Sequence, residues 1–371
     1  MGQQAIIPFF GVKRQYENLR EEILHITDVV LSTGQVLDGH YTTSFENAIA
    51  NRCNRDFAIS VNSCTQGIIM ALQSIEEPGK VVIPAVSFAA TVNSVMMTEH
   101  TPYFCDVDGY GIMDLDSLPT TLNDGTISAV MYVNLYGNVI DYDKLRLHTE
   151  FFGRSPIVIE DAAQSFGAKY KGIPSGKLGD ISVLSFDPTK NFNNYGSGGM
   201  ILTDNARIAE ALRDFRDNGK HGGHCWPGTN SKMSESDCAQ MLVKLQYFDE
   251  WQERRNAIAT YYTQQLQSYI DVIGAGADVE HAWHKFVVRH ESRARLRHHL
   301  SMRGIETKVH YEKALTDLEV GSQYVNMLPR HGHYFYNAEE LCKSTLSLPI
   351  YPELSDGEVE HIAQSVKEFF W

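Results

Sequence analysis

Between residues 57 and 203 the sequence repeats one device: a short apolar run, a polar turn, and a stretch with helical spacing. "FAISV", "VVIPAV", "PYFCDVD", "ISAVMYVNLYG", "PIVIEDAA", "ISVLSF" and "GGMILTD" follow one another in this way. Runs apolar at every position suit strands covered on both faces, and their alternation with helices predicts a mainly parallel sheet in an α/β layer. Ahead of this block, Val12, Tyr16, Leu19, Ile23, Ile26 and Val30 recur at helical spacing, an amphipathic helix that Gly34 stops. Thr43 with Glu46 reads as a capping box opening a second helix that carries Phe45, Ala48 and Ile49. A long helical pattern from about Ser236 to Ile270 leads into a remainder that mixes strand-like "KFVVRH" with helical "RARLRHHLSMRG" and "EVEHIAQSVKEFF". A chain of 371 residues outgrows one hydrophobic core. The expected division is a large domain over 1–245 and a smaller α+β domain over 246–371.

Charge and cysteine usage narrow the function. A net charge of −14 argues against wrapping nucleic acid, which needs a basic footprint. No apolar stretch approaches the roughly 20 residues of a membrane span. The start "MGQQAIIPFFGVKRQ" has no basic segment before an apolar one, and Ile6 stands where a myristoylation signal wants Ser or Thr. A cytoplasmic protein is expected. The six cysteines (Cys53, Cys64, Cys105, Cys225, Cys238, Cys342) include no C-x-x-C pair and read as reduced thiols. The histidine-bearing stretches "KHGGHC" and "HGHYF" (His221, His224, Cys225, His331, His333) raise a metal reading. No carboxylate or second pair sits at ligand spacing, so loop histidines and no metal are expected.

Ligands of an open parallel sheet bind beyond the carboxyl ends of its strands. After "FAISV" comes "NSCTQGIIMAL", a polar turn opening a helix, where Ser63 to Thr65 make a plain helix cap or a phosphate cradle. After "VVIPAV", Phe88 is a core aromatic or a face for a flat ligand. After "PIVIE", Asp161 caps a helix or offers a buried carboxylate, with Gln164 following. After "ISVLSF" comes "DPTKNFNNYGSGGM", in which Lys190 stands alone, either a solvated lysine or a reactive amine. One plan uses all of these endings: the site of pyridoxal 5′-phosphate (PLP), which needs a lysine for its aldehyde, a carboxylate against its pyridine nitrogen and a cradle for its phosphate. A buried lysine with a lowered pKa can then serve as the base of a 1,3-proton shift. Ser185 and the glycines after Lys190 let the backbone approach the cofactor.

The ordered set "NSCTQGI", "IPAVSFAATVNS", "IEDAAQSFGAKYKG", "GDISVLSFDPTKN", "GSGGMILTD", "KFVVR", "RGIETKVHY" and "LSLPIYPELS" resembles the DegT/DnrJ/EryC1/StrS family over nearly the whole chain. These are PLP-dependent sugar-nucleotide aminotransferases of PLP fold type I, the aspartate aminotransferase-like architecture. The resemblance implies that Lys190 forms the Schiff base, Asp161 holds the pyridine nitrogen, Gln164 bonds the ring hydroxyl and Phe88 stacks on the ring. It assigns the phosphate to Cys64, Thr65 and Ser185, and to Asn230 reaching across from the neighbouring subunit of a homodimer. It places His310 and Tyr311 near the sugar. The implied reaction moves an amino group from L-glutamate to a keto group at C3 or C4 of a nucleotide-linked deoxysugar. Related dehydratases carry histidine in place of the lysine, so Lys190 counts against them, and the acidic chain has no spare length for the DNA-binding module of a regulatory protein. Departures from the family pattern are Cys64 for glycine, Asp187 for an aromatic residue, Asn193 and Asn194 for small residues, Lys232 for arginine, Glu312 for proline and Asn134 for histidine.

Overall fold

The computed structural model describes residues 6–118, 126–150, 156–224, 227–325 and 335–371. The apolar runs form the strands expected of them: β1 Phe57–Val61, β2 Lys80–Pro84, β3 Thr101–Cys105, β4 Ile127–Val133 and β5 Ile157–Asp161. After the short β6 Lys169–Tyr170 and β7 Ile173–Pro174 come β8 Ile181–Ser185 and β9 Gly199–Thr203. A seven-stranded sheet runs in the order β1-β9-β8-β5-β4-β2-β3, and β9 alone is antiparallel to its neighbours. β8 and β9 are buried at every residue, which is why their sequences show no polar alternation. The main core packs around Val82, Val130, Ile159, Val183 and Ile201, all fully enclosed.

Helix α1 covers Val12–Thr33, burying Leu19, Ile23 and Val30 and ending at Gly34 in the left-handed conformation that glycine adopts freely. Helix α2, His40–Arg52, starts three residues ahead of the capping box read at Thr43 and Glu46. Glu235, nearly 200 positions away in the chain, supplies the cap instead: its carboxylate accepts from the backbone N–H of Gly39 and Thr42, each at 3.0 Å, and from that of Tyr41. Glu46 is thereby free to hold Ser60 N–H at 2.8 Å and the Arg216 guanidinium at 2.7 Å. A tertiary cap leaves no local sequence signal.

The long helical pattern after Ser236 is two helices, Glu235–Leu245 and Phe248–Leu266, broken at Gln246 and Tyr247. The break lets Phe248 pack on Phe166 and Phe192, with ring centroids 4.8 and 5.3 Å away, while Ile258, Tyr262 and Leu266 enter a second core. That second core also holds residues of a three-stranded antiparallel sheet, β10 Asp271–Ile273, β12 Phe286–Arg289 and β13 Thr345–Leu348. The intervening β11, Val279–Glu280, pairs with β6. Ile7 joins this second core from the other end of the chain: it bridges to Ile305, donates to Gly304 O at 2.8 Å and accepts from Glu306 N–H at 3.1 Å.

Candidate active site

Strand register sets the site. Asp161 ends β5 level with Val133 of β4 and Val183 of β8, while Ser185 ends β8 opposite Gly199, which in turn faces Val61 of β1. The residues following β1, β5 and β8 therefore gather at one sheet edge, as expected for parallel strands. Gly199 is required there, since a Cβ would fall 2.7 Å from Cys64 N. Without one, α3, Cys64–Gln73, begins directly against the sheet, capped by Ser63 accepting from Gln66 N–H at 3.2 Å. The first N–H groups of α3 have no partner within the helix, and Cys64 N lies against Gly199, the strand partner of Ser185, an arrangement suited to a phosphate.

Asp161 is buried and accepts from Ala163 N–H at 3.1 Å. Burial pushes its pKa up to about 6, against the opposing pull of that hydrogen bond and of the Lys190 charge. Such a carboxylate suits a cationic N–H, which would restore its ionised form. Glu160 points to the other face of β5, as strand alternation requires. It is wholly enclosed by Asn134 Nδ2 (2.9 Å), Ser175 Oγ (2.7 Å), Ser182 Oγ (2.6 Å) and the backbone N–H groups of Gly176 and Leu178 (both 3.0 Å). Asn134, one of the family departures, thus holds a structural carboxylate. Glu160→Gln turns an amide N–H toward these donors and is expected to cost about 2–4 kcal/mol, read from the urea midpoint at constant slope.

Lys190 is half-buried, not buried as its expected role suggested. Its ammonium makes no hydrogen bond or ion pair among the described residues. The loop that presents it is fixed by its neighbours. Asn191 donates to Phe166 O at 2.6 Å, Asn194 donates to Ser197 O at 3.0 Å, and Asn193 O accepts from the buried Lys244 at 2.8 Å. Asp187 turns the chain by accepting from Thr189 N–H at 2.9 Å. The departures at 187 and 194 therefore support the loop through their side chains, whereas Asn193 holds Lys244 through its backbone carbonyl.

Gln164 accepts from Tyr136 N–H at 3.0 Å and donates to Tyr311 Oη at 3.3 Å. Tyr311 stands 6.0 Å from Phe88, ring to ring, and Phe88 is 60% exposed, an uncovered aromatic face at the mouth of the site. Phe88→Ala is expected to leave thermal stability nearly unchanged and to weaken PLP binding about tenfold, measured by cofactor titration. His310 bonds Ser347 Oγ at 2.8 Å; burial and the nearby Lys285, Lys190 and Lys308 push its pKa down to about 2, so it is a neutral imidazole. Thr65 lies beside Cys64 in the first turn of α3, and burial raises the Cys64 thiol well above its ordinary range.

Other expected residues lie apart. Asn230 is exposed, bridges to Asp217, and has no hydrogen bond to the rest of the site among the described residues. Lys232 pairs with Asp217, and Glu312 with Arg297 at 3.4 Å. His221 and His224 are exposed, while Cys225, His331 and His333 lie outside the described residues. Among the described residues no group of three His, Cys, Asp or Glu side chains could hold a metal, and no helix is long and apolar enough to cross a membrane.

The sequence reading missed what faces Lys190 from the second core. A narrow cleft is lined by Phe9, Phe10, Lys190, Arg255, His284, Lys285 and Glu353. Lys285 opens "KFVVR", where attention falls on the strand and not on its first residue.

The amine, the buried carboxylate, the aromatic face and the helix start at this sheet edge suit PLP, and the sheet order is that of PLP fold type I. The chain belongs to the DegT/DnrJ/EryC1/StrS aminotransferase family, whose model matches residues 17–367. It is 33% identical to the dTDP-3-amino-3,4,6-trideoxy-alpha-D-glucose transaminase of Streptomyces venezuelae, covering 98% of this chain and 96% of that one. It is 31% identical to a protein of Geobacillus stearothermophilus named pleiotropic regulatory protein, over 98% of both chains. The structure of NtdA from Bacillus subtilis, with bound cofactor PMP, superposes with a TM-score of 0.88 at 27% identity, covering 98% of this chain and 85% of that one.

Proposed function

We propose that this enzyme transfers an amino group from L-glutamate to the C3 or C4 keto group of a nucleotide-linked deoxysugar, as a homodimer in which Asn230 serves the partner's site. The reading is carried by one pairing: the Lys190 amine, which has no hydrogen-bond or ion-pair partner among the described residues, within electrostatic reach of the buried Asp161 carboxylate. The name of the Streptomyces relative supports a sugar-nucleotide acceptor. The exposed side chains of Leu31, Val36 and Leu37 support a covered surface in the assembly.

The residues present fit the cofactor. Bound there, PLP supplies an electrophilic aldehyde and an electron-withdrawing ring that eases removal of a carbon-bound proton. Asp161 would hold the ring nitrogen in its protonated form, Phe88 would cover the ring, and the start of α3 with Ser185 would take the phosphate. Lys190 Nζ, placed on a rigid loop, takes the proton from the α-carbon of the donor and returns one to the carbon that becomes the sugar amine. Neutral His310, bonded to Ser347, can donate or accept a hydrogen bond at the sugar without bringing charge into the cleft.

The test is to mix the PLP-loaded protein with isotopically labelled L-glutamate and then with keto-sugar nucleotides. Release of 2-oxoglutarate followed by label in an aminosugar nucleotide is the expected result. Loaded protein that releases no keto acid from any amino donor would overturn the reading and leave a regulatory role in its place.

A further inference from the structure

The protein contains two deeply buried lysines, and they are treated differently. Lys244 is satisfied: its ammonium donates to Asn193 O at 2.8 Å and lies 3.3 Å from the centre of the Tyr195 ring. Lys285 is 4% exposed and its side chain has no hydrogen-bond or carboxylate partner among the described residues. An ammonium taken out of water without such a partner is costly. Its ammonium lies over Phe10, 4.5 Å from the ring centre, and the ammonium of the exposed Lys308 lies 4.6 Å from the same centre. Aromatic faces attract cations without neutralising them.

The surrounding charge is mostly of the same sign. Burial lowers the pKa of Lys285 most, Lys190, Arg255 and Lys308 lower it further, and Asp187 opposes them. Arg255 is committed elsewhere, donating to Trp283 O at 3.2 Å and Ile350 O at 2.8 Å. Lys285 and Phe10 line the same cleft as Lys190. Glu353 also lines the cleft, where Arg255, Lys244 and Arg14 act on its carboxylate; Lys285, at the buried end, and Lys308, at the exposed end, are left over Phe10 with no carboxylate partner among the described residues.

We propose that Lys285 and Lys308, gathered over Phe10, form an oxyanion subsite that holds a substrate carboxylate or phosphate while Lys190 acts on the same molecule. The inference rests on the transamination reading above. Its two sources are a carboxylate of the amino donor and the diphosphate of the sugar nucleotide. Either would bring a negative charge within reach of the two lysine amines, and charge-assisted hydrogen bonds of this kind are the strong ones.

Equilibrium binding to the PLP-loaded protein distinguishes them, with glutarate as an unreactive dicarboxylate and a nucleoside diphosphate as the other probe. Lys285→Gln and Lys308→Gln are each expected to weaken one probe by about tenfold to a hundredfold while the visible cofactor band is unchanged. Loss confined to glutarate assigns the subsite to the donor, and loss confined to the nucleoside diphosphate assigns it to the acceptor. Lys308 is exposed, so its variant folds even where Lys285→Gln does not, and Lys285→Met retains the apolar stem as a further check. Unchanged affinity for both probes with an intact band, or no binding of either by the parent protein, overturns the subsite. A protein that takes up no PLP at all would count against the transamination reading instead.

Discussion

Lys190→Ala is expected to yield a folded protein whose turnover falls by about a thousandfold or more. The separation of the two effects follows from how the loop is built. Asn191, Asn193 and Asn194 hold it through hydrogen bonds to Phe166, Lys244 and Ser197, and the Lys190 side chain bonds to nothing among the described residues. Removing that side chain should move the thermal midpoint little, because it leaves neither a cavity nor an orphaned polar group. Turnover should depend on it, since no other lysine is placed on this loop. A small alkylamine added to the variant should restore part of the rate, which a merely structural lysine would not allow. Near-normal turnover without rescue would show that the reactive amine lies elsewhere.

Asp161→Asn should make the cofactor-free protein more stable and the loaded enzyme slower. Burial raises the Asp161 pKa from 3.8 to about 6. A carboxyl group with a raised folded-state pKa favours folding below its unfolded pKa and loses that contribution as pH rises through the folded value. The window is therefore about pH 4 to 6, and above it the ionised group opposes folding by up to about 3 kcal/mol. Asparagine keeps the shape and can still accept from Ala163 N–H. At pH 7 the cofactor-free variant should gain roughly 1–3 kcal/mol over the parent, and the gain should vanish near pH 4. With PLP bound the order should reverse, with kcat falling about a hundredfold as the ring nitrogen loses its counter-charge. Equal denaturation midpoints for the two cofactor-free proteins at pH 7 would sink the argument.

The sheet and the residues at its strand ends are legible because their signals are local. A strand buried on both faces shows as an unbroken apolar run, and the residue after it occupies a strand end whatever the rest of the fold does. Asp161 and Lys190 are the candidates that this rule marks. What escaped was tertiary. The cap of α2 comes from Glu235, so the local pair Thr43 and Glu46 misled. The break at Gln246 has no proline or glycine to announce it, because it is set by Phe248 turning into one core and Ile258 into another. Lys285 and Lys308 lie in separate segments and become a pair only over Phe10, a contact spanning almost the whole chain.

That contact has a consequence for synthesis. Phe9 N–H donates to Glu306 Oε2 at 3.0 Å across 297 positions, and Ile7 bridges to Ile305 beside it. At about 5–20 residues per second, the first-made segment waits roughly 15–60 s for its dock to emerge from the ribosome. Through that interval the parallel sheet can form with its lysine and aspartate in place, but the wall of the cleft that Phe9 and Phe10 provide cannot. The nascent chain thus holds Lys190 and Asp161 in place before the cleft beside them is closed.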